Sequence, residues 1–139
     1  MGKVLMGRGA MAGVAEGVAL VCPESLQGWA GIDDHTGIII EHNHSQFGQC
    51  IKDRILVLPC SKGSNGWSCH FHSAALSGHR PAGWVLTRID SRAGVAIAVV
   101  GAPAVADFEE DPCLCIRTGD RIRIDGDKGT VEILEEESK

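Results

Sequence analysis

Apolar and polar positions alternate along this chain in two different rhythms. In the middle, Arg54-Ile55-Leu56-Val57-Leu58-Pro59 is a continuous apolar run. It is too short for a helix, so it predicts a strand buried on both faces. Gly83-Trp84-Val85-Leu86-Thr87 predicts a second such strand, and Val14 to Cys22 a third, interrupted by Gly17 and ended by Pro23. Near the C-terminus, Arg121-Ile122-Arg123-Ile124-Asp125 alternates strictly and puts both isoleucines on one face. Gly126-Asp127-Lys128-Gly129 supplies a turn and Thr130-Val131-Glu132-Ile133-Leu134 returns, which predicts an antiparallel hairpin.

Between the buried strands lie two helical stretches. The first spans about 66–77, with Gly78 as its stop signal and Pro81 beyond. The second is capped by Asp90 or Ser91, runs through Val99 and ends at Gly101. Ala102 to Ala106 reads as another strand, so the order β-α-β-α-β implies parallel strands with right-handed crossovers. Ile38-Ile39-Ile40-Glu41 reads as a short β-branched strand between two polar loops, and the tail from Glu135 as solvated. The expected fold class is α/β, rich in strands, with about two helices and a C-terminal hairpin.

Composition narrows the function classes. A chain of 139 residues with 44% hydrophobic content suits one domain over residues 1–139. The net charge of −5 argues against a nucleic-acid groove. No apolar run reaches membrane-spanning length and the start carries no signal-like segment, so the expected location is cytoplasmic. Six cysteines, several of them in apolar runs, read as reduced thiols rather than a disulfide framework.

The position with the clearest chemistry is Ser64, directly after the Ile55–Leu58 run and directly before the first helix. A hydroxyl there lies beside free backbone N–H groups at the positive end of a helix dipole. Such a site favours negative charge, whether on a bound anion or on the serine alkoxide. A helix N-cap is the competing explanation. Two His-x-His pairs, His42/His44 and His70/His72, could ligate zinc on a strand, but the second pair falls in the expected helix, where such positions diverge by about 200°. Loop polarity and surface placement explain both pairs better. Cys113-Leu114-Cys115 lacks a second pair with metal-site spacing and is a weak signal by itself. No metal ligand is assigned in this chain.

A set of motifs in fixed order adds to this. Gly13-Val14-Ala15-Glu16-Gly17 opens it. Ser25-Leu26-Gln27-Gly28-Trp29-Ala30-Gly31-Ile32-Asp33 follows, then His44, Gly48, Ile55–Pro59, Lys62-Gly63-Ser64 and Arg80-Pro81-Ala82. Thr118-Gly119-Asp120 leads into the hairpin. Taken together, from about Gly7 to Ile133, the chain resembles the small subunit, or swivelling domain, of the aconitase X family. The resemblance implies a three-layer β/β/α domain. It also implies half an enzyme, in which a larger partner subunit holds an iron–sulfur cluster and the small subunit supplies a serine base. The family's Gly-Ser falls on Gly63-Ser64.

Ser64 is thus the catalytic candidate, with Ser25, His44, Lys62, Gly63 and Asn65 as substrate-binding candidates. Asn65 stands where the family usually has a second serine. The family's known reactions dehydrate cis-3-hydroxy-L-proline or 5-phosphomevalonate, each by loss of a proton next to a carboxylate and of a β-hydroxyl. The departures from the family pattern favour the hydroxyproline branch here, with the phosphomevalonate branch as the alternative. A non-catalytic binding or regulatory domain on the same fold is a further reading.

Overall fold

The computed structural model describes residues 3–26, 31–62 and 67–136. Eight strands are present: β1 (Val4–Met6), β2 (Arg8–Met11), β3 (Val14–Val21), β4 (Ile55–Leu58), β5 (Gly83–Leu86), β6 (Ala104–Ala106), β7 (Arg121–Asp125) and β8 (Thr130–Glu135). Three helices accompany them among the described residues: α1 (Trp67–Leu76), α2 (Ser91–Val100) and the single turn α3 (Pro112–Cys115).

The strand order is β1-β8-β7-β3-β4-β5-β6-β2. The long strand β3 serves two sheets. Its first half, Val14 to Val18, pairs antiparallel with β7, while Ala19 to Val21 pair in parallel with β4. The antiparallel sheet β1-β8-β7-β3 therefore folds over the mostly parallel sheet β3-β4-β5-β6-β2. Side-chain alternation fills both interlayer spaces. Ile55 and Val57 of β4 and Val85 of β5 meet Ile122, Ile124, Val131 and Ile133 between the sheets. Leu56, Leu58, Trp84 and Leu86 point the other way and meet Trp67, Phe71, Ala93, Ala96 and Ile97 of the helices. This is why β4 and β5 read as unbroken apolar runs: both faces are covered. The expected three-layer β/β/α arrangement is present.

Helix ends follow their sequence signals. Asp90 caps α2 by accepting from the Arg92 amide, and Gly101, at φ +80°, closes it. Gly78 follows α1 at φ +86°. Three segments differ from expectation. Ile38–Glu41 forms no strand, only the isolated bridges Ile32–Ile39 and Ile38–Cys50 inside a self-paired loop. The N-terminal segment forms two short strands where none is expected. Each lies at the edge of a sheet, where the pairing of β1 with β8 and of β2 with β6 stabilises a segment that lacks its own periodicity. The short helix α3 is also unexpected; Asp111 caps it and Pro112 opens it.

Between β1 and β2 stands only Gly7, so the chain crosses from the edge of one sheet to the edge of the other in one residue. The crossing is tight. A Cβ on Gly126 would lie 1.8 Å from the Met11 carbonyl oxygen, and one on Gly9 would lie 1.9 Å from that of Gly126. Neither backbone atom can swing aside as a side chain could. Gly126→Ala is therefore expected to lower stability by at least about 1–3 kcal/mol, the usual cost of overpacking. Urea unfolding of the full chain measures this, and an unchanged midpoint would contradict the packing described.

Candidate active site

The carboxyl ends of β3, β4, β5 and β6 all open on one rim, because these neighbours run parallel. Such a rim is where open α/β sheets commonly place their ligands. The chain leaves β3 into 22–26 and β4 into 59–62, and α1 begins at Trp67. Ser64, Gly63 and Asn65, three of the candidate residues, lie outside the described residues. The residues on both sides of them are placed, and they are heavily tied.

Three consecutive residues, Glu24, Ser25 and Leu26, tie down the segment that ends at Lys62 and the helix that begins at Trp67. Lys62 Nζ donates to the Glu24 carbonyl at 3.1 Å. The Ser25 hydroxyl donates to the Cys60 carbonyl. At the start of α1, Trp67 Nε1 donates to the Leu26 carbonyl at 2.6 Å. The Trp67 ring is fully buried against Phe71 and Trp84, with centroids 4.6 and 5.8 Å away, so it anchors the core rather than a surface.

The candidate residues Ser25, His44 and Lys62 come together here. Ser25 is buried and sits at φ +64°, a left-handed conformation that a non-glycine residue adopts only when its surroundings fix it. His44, also buried, places Nε2 2.6 Å from the Ser25 carbonyl oxygen. Lys62 is about one-third exposed and pairs with Glu41 at 2.5 Å. Its charge is therefore already compensated by the Glu41 carboxylate.

Glu24 and Asp90 complete the scaffold. Burial works against the Glu24 carboxylate, yet hydrogen bonds from the backbone and from the Ser45 amide and hydroxyl hold its pKa below the usual range. Asp90 does two tasks at once. Besides capping α2, its carboxylate accepts from the Ser61 amide at 2.9 Å and the Ser61 hydroxyl at 2.5 Å. Partial burial again opposes the charge, and these bonds with those from the Ala93 and Arg92 amides outweigh it, so the Asp90 pKa is lowered. Glu24, Glu41 and Gln46 were not singled out by sequence reasoning, and Asp90 only as a helix cap. The one signal that could have found them is their position in loops that follow parallel strands.

Among the described residues no group of three or more His, Cys, Asp or Glu side chains could hold a metal ion. The cysteines do not fit a cluster. All six are unpaired and spread over the molecule. Burial pushes the Cys22 thiol far up, and burial with the Asp111 charge pushes Cys113 up to about 11, so both stay protonated near neutral pH. Asp33 accepts from the His35 amide in a turn, and His42 is exposed.

A family model described as the aconitase X swivel domain matches residues 4–133. The chain belongs to this family. The phosphomevalonate dehydratase small subunit of Methanococcoides burtonii is 33% identical over 125 residues, 88% of this chain and 90% of that protein. The protein of the same name from Pyrococcus furiosus is 32% identical over 130 residues, covering 94% of this chain and 95% of its own length. The crystal structure of Thermococcus kodakaraensis aconitase X in its holo-form superposes with a TM-score of 0.89 at 29% identity, covering 96% of this chain and 99% of that one. The swivel architecture expected from the motifs is thus the family's own.

Asp90 gives a prediction of defined sign. Its folded pKa lies below its ordinary value, so its stabilising contribution is present above the ordinary aspartate range. That contribution is lost as pH falls through the folded value. Asp90→Asn is expected to destabilise the protein at pH 7 and to weaken the acid-side fall in stability. Denaturant titrations at several pH values below neutrality check this; parallel curves for the two proteins would contradict it.

Proposed function

We propose that this chain is the small subunit of a phosphomevalonate dehydratase. It would work with a larger aconitase X-type subunit and contribute Ser64 as the base. The observation that carries the reading is the match, over about nine-tenths of their length, to relatives bearing that name. The hydroxyproline branch rested on departures from the family pattern, whereas the relatives described above carry the phosphomevalonate name. The carboxyl-terminal rim of the sheet, where Lys62 and Trp67 are tied to Glu24 and Leu26, supplies a suitable place for the chemistry.

The reaction removes a proton next to a carboxylate and expels a β-hydroxyl. Ser64 takes the proton when its alkoxide is stabilised by backbone N–H groups at the start of α1. Oriented donors of that kind are worth about 2.7–4 kcal/mol each in comparable sites. Gly63 and Asn65 flank the base and would line the bound acid. The iron–sulfur cluster that the family resemblance implies belongs with the partner subunit, where it would act on the leaving oxygen as a Lewis acid. This chain positions the base and closes the site.

The test is a reconstituted complex of this chain with its large subunit. It is expected to dehydrate 5-phosphomevalonate. Ser64→Ala is expected to lower kcat by about 10²–10⁴-fold while the complex still assembles, as loss of a general base does. Turnover of cis-3-hydroxy-L-proline instead, or full activity in Ser64→Ala, would contradict the proposal.

A further inference from the structure

Independently of the proposed function, we infer that the free edge of β1 pairs with the same edge of a second copy of this chain. Val4–Met6 of the two copies run antiparallel about a two-fold axis at Leu5.

The hydrogen-bond pattern fixes which groups this edge presents. In an antiparallel ladder, residues that bond to the neighbouring strand alternate with residues that face away from it. The Ile133 amide donates to the Lys3 carbonyl at 2.9 Å, and the Gly7 amide to the Gly129 carbonyl at 2.8 Å. Leu5 lies opposite Val131 in the same register, so Lys3, Leu5 and Gly7 are the residues turned toward β8. Val4 and Met6 therefore turn their N–H and C=O groups outward. None of these groups hydrogen-bonds to the backbone of another described residue. A groove of about 270 Å³ runs beside the edge, lined by Val4, Leu5, Met6, Phe108, Glu109 and Glu110.

The two ends of the strand order are protected differently. An exposed edge invites pairing with another chain unless a charge, a proline or a bulge blunts it. β2, at one end, carries Arg8 and an irregular register between Gly9 and Met11. β1, at the other, has a regular register and no charged residue or proline. Its Val4 and Met6 side chains share the face opposite the buried Leu5 and are 47% and 64% exposed.

This edge is complementary to itself. With the axis at Leu5, Val4 of each copy lies opposite Met6 of the other. Both residues belong to the outward-facing set, so each such pair exchanges both of its N–H···O bonds. The same pairing sets the two exposed apolar side chains against each other across the strands. A register shifted by one residue would instead oppose an outward-facing residue to one already bonded to β8, and the match would be lost. Charge agrees with the in-register arrangement. Lys3 pairs with Glu110 of its own copy at 3.5 Å, whereas Glu109 has no ion pair among the described residues. The axis brings Lys3 opposite Gly7 of the second copy, and Gly7 packs against Phe108, next to Glu109. Each unpaired carboxylate thus gains a nearby cation. The contact is isologous, so it closes as a dimer. Its size places it with small, transient interfaces.

Sedimentation of the full chain over a concentration series up to about 1 mM is expected to show monomer when dilute and a rising dimer fraction thereafter. Combining Val4→Lys with Met6→Lys puts like charges directly opposite each other in both pairs and is expected to weaken association at least about tenfold. Because both side chains are exposed, the thermal midpoint of the dilute double variant should stay near that of the parent. Amide hydrogen exchange gives the register. Exchange at Val4 and Met6 should slow as the concentration rises, while Leu5, already bonded to β8, should not respond. A chain that stays monomeric throughout the series would overturn the inference. So would a dimer that the double variant leaves intact, or one that forms without slowing exchange at Val4 and Met6. Slowing at these two amides only when the large subunit is added to a monomeric chain would assign the edge to that partner and overturn it as well.

Discussion

One strand works for two sheets, and the rest of the molecule follows from that constraint. β3 changes partner between Val18 and Ala19, from an antiparallel neighbour to a parallel one. The change folds the β7–β8 hairpin over the parallel sheet, creates the apolar layer between them and leaves the other face for α1 and α2. It also fixes where β3 stops, and hence where Cys22 to Leu26 must lie: beside the exit of β4.

The site is therefore built mainly by backbone carbonyls and their donors, with few charges left over. Lys62 is balanced by Glu41, Glu24 is held by Ser45, and Asp90 binds the exit of β4 to the first turn of α2. Compensated charges suit a domain whose proposed task is to hold one hydroxyl in place, because an unpaired lysine beside an anionic substrate would bind it without orienting it.

Much of this was legible in the residues, for physical reasons. β4 and β5 announce themselves because strands covered on both faces need no polar positions. β7 and β8 alternate because their outer face carries Arg121, Arg123 and Glu132 into solvent. Asp90 and Gly101 mark the ends of α2 because capping and left-handed closure each demand particular residues. β1 and β2 were not legible: they are three and four residues long, and only pairing at sheet edges makes them strands. The Ile38–Glu41 run looks like a strand in isolation and becomes a loop because it pairs only in single bridges within its own segment.

The site shows the same division. Ser25, His44 and Lys62 could be picked out by family position, but what each does could not. His44 reaches Ser25 across 19 residues and Ser25 reaches Cys60 across 35, separations that no local periodicity encodes. Glu24, Glu41 and Gln46 carry no motif at all; they matter because two loops meet at one rim.

The most direct measurement is a crystal structure of this chain bound to its large subunit with substrate or an unreactive analogue in place. The account predicts the Ser64 hydroxyl oxygen about 3–3.5 Å from the carbon that loses its proton, the separation expected of groups poised to react. It also predicts the contacts of Glu24 with Lys62 and of Leu26 with Trp67 intact. A Ser64 side chain turned into the interior, or a substrate seated away from the carboxyl ends of β3 and β4, would contradict it.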